Sequence, residues 1–205
     1  MKRKFSKKFT TFIIIAVCVC VVLMIKILIA ASTGNLPETQ SARSKGDPNA
    51  SVKVVEFIDF QCPACAQGSK ILKKFMSENP KEIQLELRYY PLPMHSHAFL
   101  SAYYAECAAR QDRFWPFEDL LIERQDQWAK LYDAKPYLDI LAKNVGLNLE
   151  RLDACVKDPA TQSVILADKD EGRKLGVQST PTYFINGKMM VGVTLLEEKL
   201  KTFKQ

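Results

Sequence analysis

The stretch from Val52 to Gly68, with the sequence VKVVEFIDFQCPACAQG, constrains this chain more than any other. Its first part is apolar and β-branched and stops at Gln61, which predicts a buried strand. Two cysteines, Cys62 and Cys65, follow at once and are separated by two residues. We therefore expect a reactive turn where a core strand ends.

The Cys-x-x-Cys spacing predicts a redox pair on the first turn of a helix. Residues three apart share one helix face, with Cβ atoms about 5–6 Å apart, so the sulfurs of Cys62 and Cys65 can bond. Pro63 suits the first helical turn, where its missing N–H would have no partner. The positive helix end should lower the pKa of Cys62 and make it the attacking sulfur, with Cys65 as the resolving sulfur.

The alternative for this cysteine pair is half of a metal site. A structural zinc ion needs four ligands, and no second Cys-x-x-Cys or His-x-x-x-His follows in the sequence. His95 and His97 are the only histidines, and with the cysteines they would make a module that handles copper or zinc. A redox pair with two solvent-contacting loop histidines is favoured, and we expect no metal and no cofactor.

Residues 1–31 are predicted to be a transmembrane anchor. The chain is apolar without interruption over 12–25, and with Lys26 as the one exception the run reaches Ala31, about 30 Å of helix. The basic cluster before this run predicts a cytoplasmic N-terminus and a domain on the outer side of the membrane. A cleaved signal peptide is the alternative, because the small residues at 30–32 suit a signal peptidase.

The net charge of +6 comes from this N-terminal segment. Six of the 29 basic residues and none of the 23 acidic residues lie in residues 1–31, so the remainder carries equal numbers of each. The charge therefore indicates topology, and no nucleic-acid partner is expected.

The rest of the chain predicts one domain behind a tether. Residues 32–50 are rich in Ser, Thr, Asn, Gly and Pro and lack hydrophobic periodicity, which indicates a flexible linker. A strand, crossover helix and strand at the start of the domain favour a right-handed parallel unit. The domain covers 51–205, and its predicted elements are a strand at 51–60, a helix at 62–79, a strand at 83–90, a helical subdomain at about 97–158, a helix at 160–175, a hairpin turning at 186–187 and a helix at 194–203.

This order of elements resembles the DsbA-like thiol:disulfide oxidoreductases over residues from about 50 to 205. The most specific likenesses are FQCPAC at 60–65, LRYYPLPMH at 87–95, AECA at 105–108 with Phe114-Trp115 after it, and LGVQSTPTYFING at 175–187. The resemblance implies an α/β thioredoxin fold with an inserted helical subdomain. It also implies a monomeric extracytoplasmic enzyme that exchanges disulfides with exported proteins.

The resemblance also implies roles for residues around the cysteine pair. Pro181 matches a cis proline packed against the active-site sulfurs, and Thr180, Pro63 and Ala64 would contact substrate beside it; an ordinary trans proline is the alternative. Glu56 matches a buried acid, and because it interrupts a run apolar on both faces, we expect a raised pKa and a role in taking the proton of the resolving cysteine.

Three further expectations concern the partner of Glu56, a second disulfide and the core of the insert. Arg88 is the expected partner of Glu56, and a solvated carboxylate near a strand end is the alternative reading of the acid. Cys107 and Cys155 match a second, non-catalytic disulfide, with two buried free thiols or a redox-active pair as alternatives. Four aromatic residues are predicted to form the core of the insert: Phe114, Trp115, Phe117 and Trp128.

The chain departs from the DsbA pattern at two positions. Ala64 stands where DsbA has a histidine that helps to stabilise the thiolate, and Thr180 stands where DsbA has a valine. Without the histidine, the pKa of Cys62 should be less depressed and the protein a weaker oxidant.

The resemblance also implies a membrane partner. An oxidase would be reoxidised by a quinone-linked protein of the DsbB or VKOR type. The alternative is a reductase or isomerase that receives electrons from a donor of the DsbD or CcdA type.

Overall fold

The computed structural model describes residues 39–203, together with Met24. The predicted anchor or signal peptide at 1–31 lies outside the described residues apart from Met24. Within the described part of the chain, no helix is both long and apolar enough to cross a membrane.

A five-stranded mixed sheet forms the centre of the domain. Its strands are β1 (Ser44–Gly46), β2 (Val52–Ile58), β3 (Ile83–Tyr89), β4 (Thr182–Ile185) and β5 (Lys188–Val191), in the spatial order β1-β3-β2-β4-β5. β2 and β3 are parallel, as the strand–helix–strand pattern predicts, and the other neighbouring strands are antiparallel. The central strand β2 is buried on both faces, which explains its nearly continuous apolar sequence.

Helices cover the sheet and form the predicted insert. They are α1 (Pro63–Glu78), α2 (Ala98–Ala109), α3 (Phe114–Glu123), α4 (Gln125–Trp128), α5 (Lys135–Asn144), α6 (Leu149–Lys157), α7 (Pro159–Lys174) and α8 (Gly192–Lys201). Helices α2 to α6 correspond to the helical subdomain predicted at about 97–158. Asn148 and Asp158 cap α6 and α7 by accepting backbone N–H groups, which fixes the boundary between the insert and the helix that follows.

The segment from Thr39 to Ala50 belongs to the domain, which corrects the flexible linker predicted for 32–50. Ser44–Gly46 pairs with β3 as an edge strand, and a 3-10 helix over Ser41–Arg43 precedes it. The Arg43 side chain is buried and forms an ion pair with the buried carboxylate of Asp168. The contacts that hold this segment are mainly polar, so a search for hydrophobic periodicity does not detect them.

The inserted helices enclose an aromatic core and a disulfide. Phe114, Phe117 and Trp128 are buried as predicted, whereas Trp115 is only partly buried. Cys107 in α2 and Cys155 in α6 form a disulfide, the pair that the resemblance implies, with their Cα atoms 5.8 Å apart. The disulfide therefore joins the first and last helices of the insert.

Removal of this disulfide is expected to destabilise the domain without touching the cysteine pair at 62 and 65. The bonded residues are 48 positions apart, and closure of a loop of this length corresponds to about 4 kcal/mol in the chain-entropy account. We expect Cys107→Ala with Cys155→Ala to lower the free energy of unfolding by about that amount in urea titrations. An unchanged unfolding midpoint and slope would contradict a stabilising disulfide.

Candidate active site

Cys62 lies at the point where β2 gives way to α1. It is the N-cap residue of α1, its backbone is extended, and Pro63 occupies the first helical position. The Cys62 carbonyl accepts the first helical hydrogen bonds, from Cys65 N–H at 3.0 Å and Ala66 N–H at 3.2 Å. Cys62 is 7% exposed and Cys65 is fully buried, so only the first sulfur can be reached from solvent.

The two sulfurs differ in protonation because their surroundings differ. The Cys65 thiol donates a hydrogen bond to the Cys62 sulfur, and the backbone N–H groups of Cys65 and Ala64 also donate to this sulfur. These hydrogen bonds stabilise the thiolate and lower the pKa of Cys62 to about 5, although burial of the sulfur acts in the opposite direction. Burial and the donated hydrogen bond raise the pKa of Cys65 well above its usual value. At neutral pH the reduced pair therefore holds one thiolate and one thiol.

The loop before β4 lies against the Cys62 sulfur. The Thr180–Pro181 peptide bond is cis. The Thr180 carbonyl oxygen is 3.5 Å from Cys62 Sγ and can accept a hydrogen bond from this sulfur when the thiol is protonated. Pro181 accepts a hydrogen bond from Gly192 N–H at 2.9 Å, which ties the loop to the start of α8. Pro63, the residue after Cys62, is exposed, and Ala64 is partly exposed.

Glu56 lies in the central strand and is completely buried. Its strand neighbours are Leu87 on β3 and Tyr183 on β4. Burial, together with the charge of nearby Glu118, raises the pKa of Glu56 well above its usual value. Glu56 is one of the charges that raise the pKa of Cys65, so the two groups are close enough to interact.

Arg88 is not the partner of Glu56, contrary to the expectation from the sequence. Successive side chains on a strand point to opposite faces of the sheet, and Glu56 is in register with Leu87 rather than with Arg88. The Arg88 guanidinium instead forms ion pairs with three acids on its own side of the sheet: Glu86, Asp168 and Glu171.

The two histidines support the loops around the site. The prediction that they contact solvent is wrong for His97, which is buried, and holds for His95, whose side chain is 22% exposed. His95 Nδ1 is 2.7 Å from the buried Asp59 carboxylate. His97 is buried, and its Nε2 lies 2.7 Å from the Leu131 carbonyl oxygen. Among residues 39–203 no group of three or more His, Cys, Asp and Glu side chains is arranged to hold a metal ion.

Two glutamines that the sequence analysis did not identify connect the cysteine turn to the insert. Gln125 Nε2, in α4, donates to the carbonyl oxygens of Phe60 at 2.7 Å and Cys62 at 3.0 Å. Gln61 donates to the Ala129 carbonyl at 2.7 Å. Both glutamines are buried, and nothing in a single sequence distinguishes them from solvated side chains.

The comparison with known families identifies this arrangement. Residues 38–203 match the family described as Thioredoxin. The chain belongs to the thioredoxin family.

The chain is also similar to part of two curated proteins. One is the Na(+)/H(+) antiporter NhaA 3 of Salinispora tropica, with 32% identity over 145 residues, and the other is the Na(+)/H(+) antiporter NhaA of Herminiimonas arsenicoxydans, with 28% identity over 148 residues. These matches cover 70% and 72% of this chain but only 21% and 23% of the relatives. The chain thus spans about a fifth of the length of these curated relatives.

Solved structures share the fold. Oxidised BdbD from Bacillus subtilis has 24% identity and a TM-score of 0.68, with coverage of 80% of this chain and 92% of BdbD. Wolbachia pipientis alpha-DsbA1 has 20% identity and a TM-score of 0.67, with coverage of 78% of this chain and 89% of that protein. A thioredoxin-like oxidoreductase from Silicibacter pomeroyi DSS-3 has a TM-score of 0.65 at 22% identity, with coverage of 78% of this chain and 91% of that protein. The predicted α/β thioredoxin fold with a helical insert is confirmed.

Alkylation of the reduced protein should show the unequal pKa values of the two sulfurs. The thiolate is the reactive form, and the pKa of Cys62 is about 5. We expect the alkylation rate of Cys62 to be half-maximal near this pH and constant above about pH 6, while buried Cys65 stays unmodified. Peptide mapping after timed alkylation measures both residues. A half-maximal rate near pH 8.5, the ordinary value for cysteine, would contradict this prediction.

Proposed function

We propose that this chain is an extracytoplasmic thiol:disulfide oxidoreductase, and specifically a moderately oxidising oxidase of the DsbA type. The observation that carries the proposal is the unequal state of the pair: a reachable Cys62 with a depressed pKa lies beside a buried Cys65 with a raised pKa. An attacking and a resolving sulfur require this difference. Membership of the thioredoxin family supports the same chemistry.

The reaction begins from the Cys62–Cys65 disulfide. A substrate thiolate attacks Cys62 Sγ, the bond to Cys65 breaks, and Cys65 leaves with the electron pair and takes up a proton. A second substrate thiolate then attacks the substrate sulfur of the mixed disulfide and displaces Cys62 as a thiolate. The substrate loses two electrons and gains a disulfide, and the cysteine pair gains the two electrons.

The pKa of Cys62 supports the direction of the reaction. A stabilised Cys62 thiolate is a good leaving group and stabilises the reduced protein, which makes the disulfide more oxidising. The value of about 5 lies between about 7 for thioredoxin and about 3.5 for DsbA. Ala64 has no side-chain donor to offer the thiolate, in agreement with an intermediate strength.

Glu56 and the loop before β4 have roles in this proposal. Glu56, protonated because of its burial, gives a proton to Cys65 as the disulfide opens and takes one back when Cys65 attacks in the reverse direction. Thr180 and Pro181, together with Pro63 and Ala64, form the surface on which a substrate polypeptide lies beside the Cys62 sulfur.

The cellular setting is part of the proposal. Residues 1–31 would hold the domain at the outer face of the plasma membrane as a monomer, where oxidising conditions preserve disulfides. An antiporter works in a membrane, so the similarity to part of two antiporters supports a site of action near the membrane. The client proteins are exported proteins with cysteines, and a DsbB or VKOR-type membrane protein would reoxidise the pair.

The redox potential tests the direction of the exchange. Equilibration of the Cys62–Cys65 pair with glutathione buffers should give a value above about −270 mV and below about −120 mV. The Cys62→Ala variant should no longer oxidise a reduced substrate protein. The double variant Cys107→Ala, Cys155→Ala should retain this oxidising activity. A potential at or below that of thioredoxin would reject the oxidase and favour a reductase, and no exchange at all would reject the proposed function.

A further inference from the structure

A small cavity lies beside Glu56, between the sheet and helices α1 and α3. It has a volume of about 40 Å³ and is bounded by β1, β2, β3, α1 and α3, with Lys45, Glu56, Ser69 and Glu118 among its lining residues. One water molecule needs roughly 10–15 Å³ of such volume and two or more polar partners. The cavity is therefore large enough and polar enough for ordered water.

Two buried polar groups beside the cavity keep hydrogen-bonding capacity that protein groups do not fill. The hydroxyl of Ser69 is buried without a hydrogen-bond partner among the described residues. Tyr183, on the neighbouring strand, is a hydrogen-bond donor toward the buried Glu56 carboxyl, whose remaining acceptor positions have no partner in the described part of the chain. Buried polar atoms in proteins are normally satisfied by protein groups or by water. Water in the cavity would satisfy the Glu56 carboxyl and connect it to the other lining groups.

Glu118 provides a second buried carboxyl on the opposite wall. It lies in α3, in the inserted subdomain, is 4% exposed, and has a pKa of about 7 because burial raises it. Lys45 of β1 lowers that pKa from across the cavity, and its ammonium lies 3.8 Å from the ring centroid of Trp115. The charged groups that line the cavity together with Glu118 are Lys45 on β1, Glu56 on β2, Lys70 and Lys73 on α1, and Asp119 and Glu123 on α3 itself.

The outer side of this cavity leads to solvent. Lys73 lines the cavity and forms ion pairs with Asp119 at 2.7 Å and Glu123 at 3.4 Å, and these three side chains are 37–54% exposed. A proton path needs a buried acceptor, an intermediate group and access to solvent. Glu56, Glu118 and the exposed charged side chains at the outer side of the cavity meet these three requirements in that order.

We propose that Glu118 is a proton-relay residue that serves Glu56 through water in this cavity, and that Lys45 positions and balances its charge. The inference rests on the proposed function, because it concerns the proton that Cys65 takes up and releases. Glu118 acts through Glu56 and does not touch the reacting sulfurs, so it is a positioning residue rather than a catalytic one.

The proton balance of the path is simple. When the disulfide opens, Cys65 keeps the electron pair of the S–S bond and receives the proton of Glu56. A cavity water passes a proton to the resulting Glu56 carboxylate and receives one from Glu118, and solvent reprotonates Glu118. One proton thus moves from solvent to Cys65, and the reverse sequence releases it when Cys65 attacks a mixed disulfide.

The pH dependence of disulfide opening tests the relay. The variants are Glu118→Gln, Lys45→Met and, as a matched control, Glu150→Gln, an exposed carboxyl on α6 that does not line the cavity. The rate at which a small thiol such as dithiothreitol reduces the Cys62–Cys65 disulfide is measured at constant thiolate concentration from about pH 5 to pH 9, a range that spans the ordinary pKa values of carboxyl and thiol groups.

The native protein should lose rate through an inflection near pH 7, where Glu118 deprotonates. Glu118→Gln should abolish the inflection and lower the rate about tenfold at neutral pH, less than the hundredfold typical of a direct general acid. Lys45→Met should move the inflection to higher pH, because loss of the cation raises the carboxyl pKa. Glu150→Gln should match the native profile.

Separate outcomes distinguish this inference from the proposed function. If Glu118→Gln keeps the native rate and inflection while the native protein oxidises substrates, the relay is wrong and the proposed function stands. If the native protein performs no exchange, the proposed function fails. Should Glu118→Gln fail to fold, an unmoved inflection in Lys45→Met would itself reject the relay, and an upward shift would support it.

Discussion

The hydrogen bond from the Cys65 thiol to the Cys62 sulfur is the interaction on which the rest of this site depends. It is the largest cause of the depressed pKa of Cys62, and it exists because the helix begins at Cys62 and places Cys65 one turn below. The same bond raises the pKa of the donor. One contact therefore produces the two different sulfurs that directional disulfide exchange needs.

The fold buries the Cys65 end of this hydrogen bond completely and leaves the Cys62 end slightly exposed to solvent. The central strand β2 ends just before Cys62, and Cys65 lies in the first turn of α1 with its side chain fully buried. The insert contributes a buried glutamine, Gln125, which holds the Cys62 carbonyl, and a buried acid, Glu118, which faces Glu56 across a small cavity. The inserted helices thus shape the electrostatics under the cysteine pair as well as the surface around it.

The sequence predicted the features that depend on local patterns. The strand before Cys62, the helix after it, the parallel β2–β3 unit, the helical insert and the last hairpin each follow from periodicity, spacing or turn residues. The structure differs from these predictions where polar contacts between residues far apart in the sequence determine the position of a segment or a side chain. Residues 39–46 join the domain through the buried Arg43–Asp168 ion pair, and Arg88 points away from Glu56 because its register places it on the other face. A glutamate such as Glu118 in an amphipathic helix looks solvated until the packing of the helix is known.

The thiolate absorbance of the reduced protein, followed as a function of pH in the native chain and in Cys65→Ala, tests the central claim most directly. The account predicts one thiolate that titrates near pH 5 in the native protein, and a clearly higher midpoint in Cys65→Ala, because the main donor to the Cys62 sulfur is lost. Equal midpoints in the two proteins, or a native midpoint near the ordinary cysteine value of about 8.5, would contradict it.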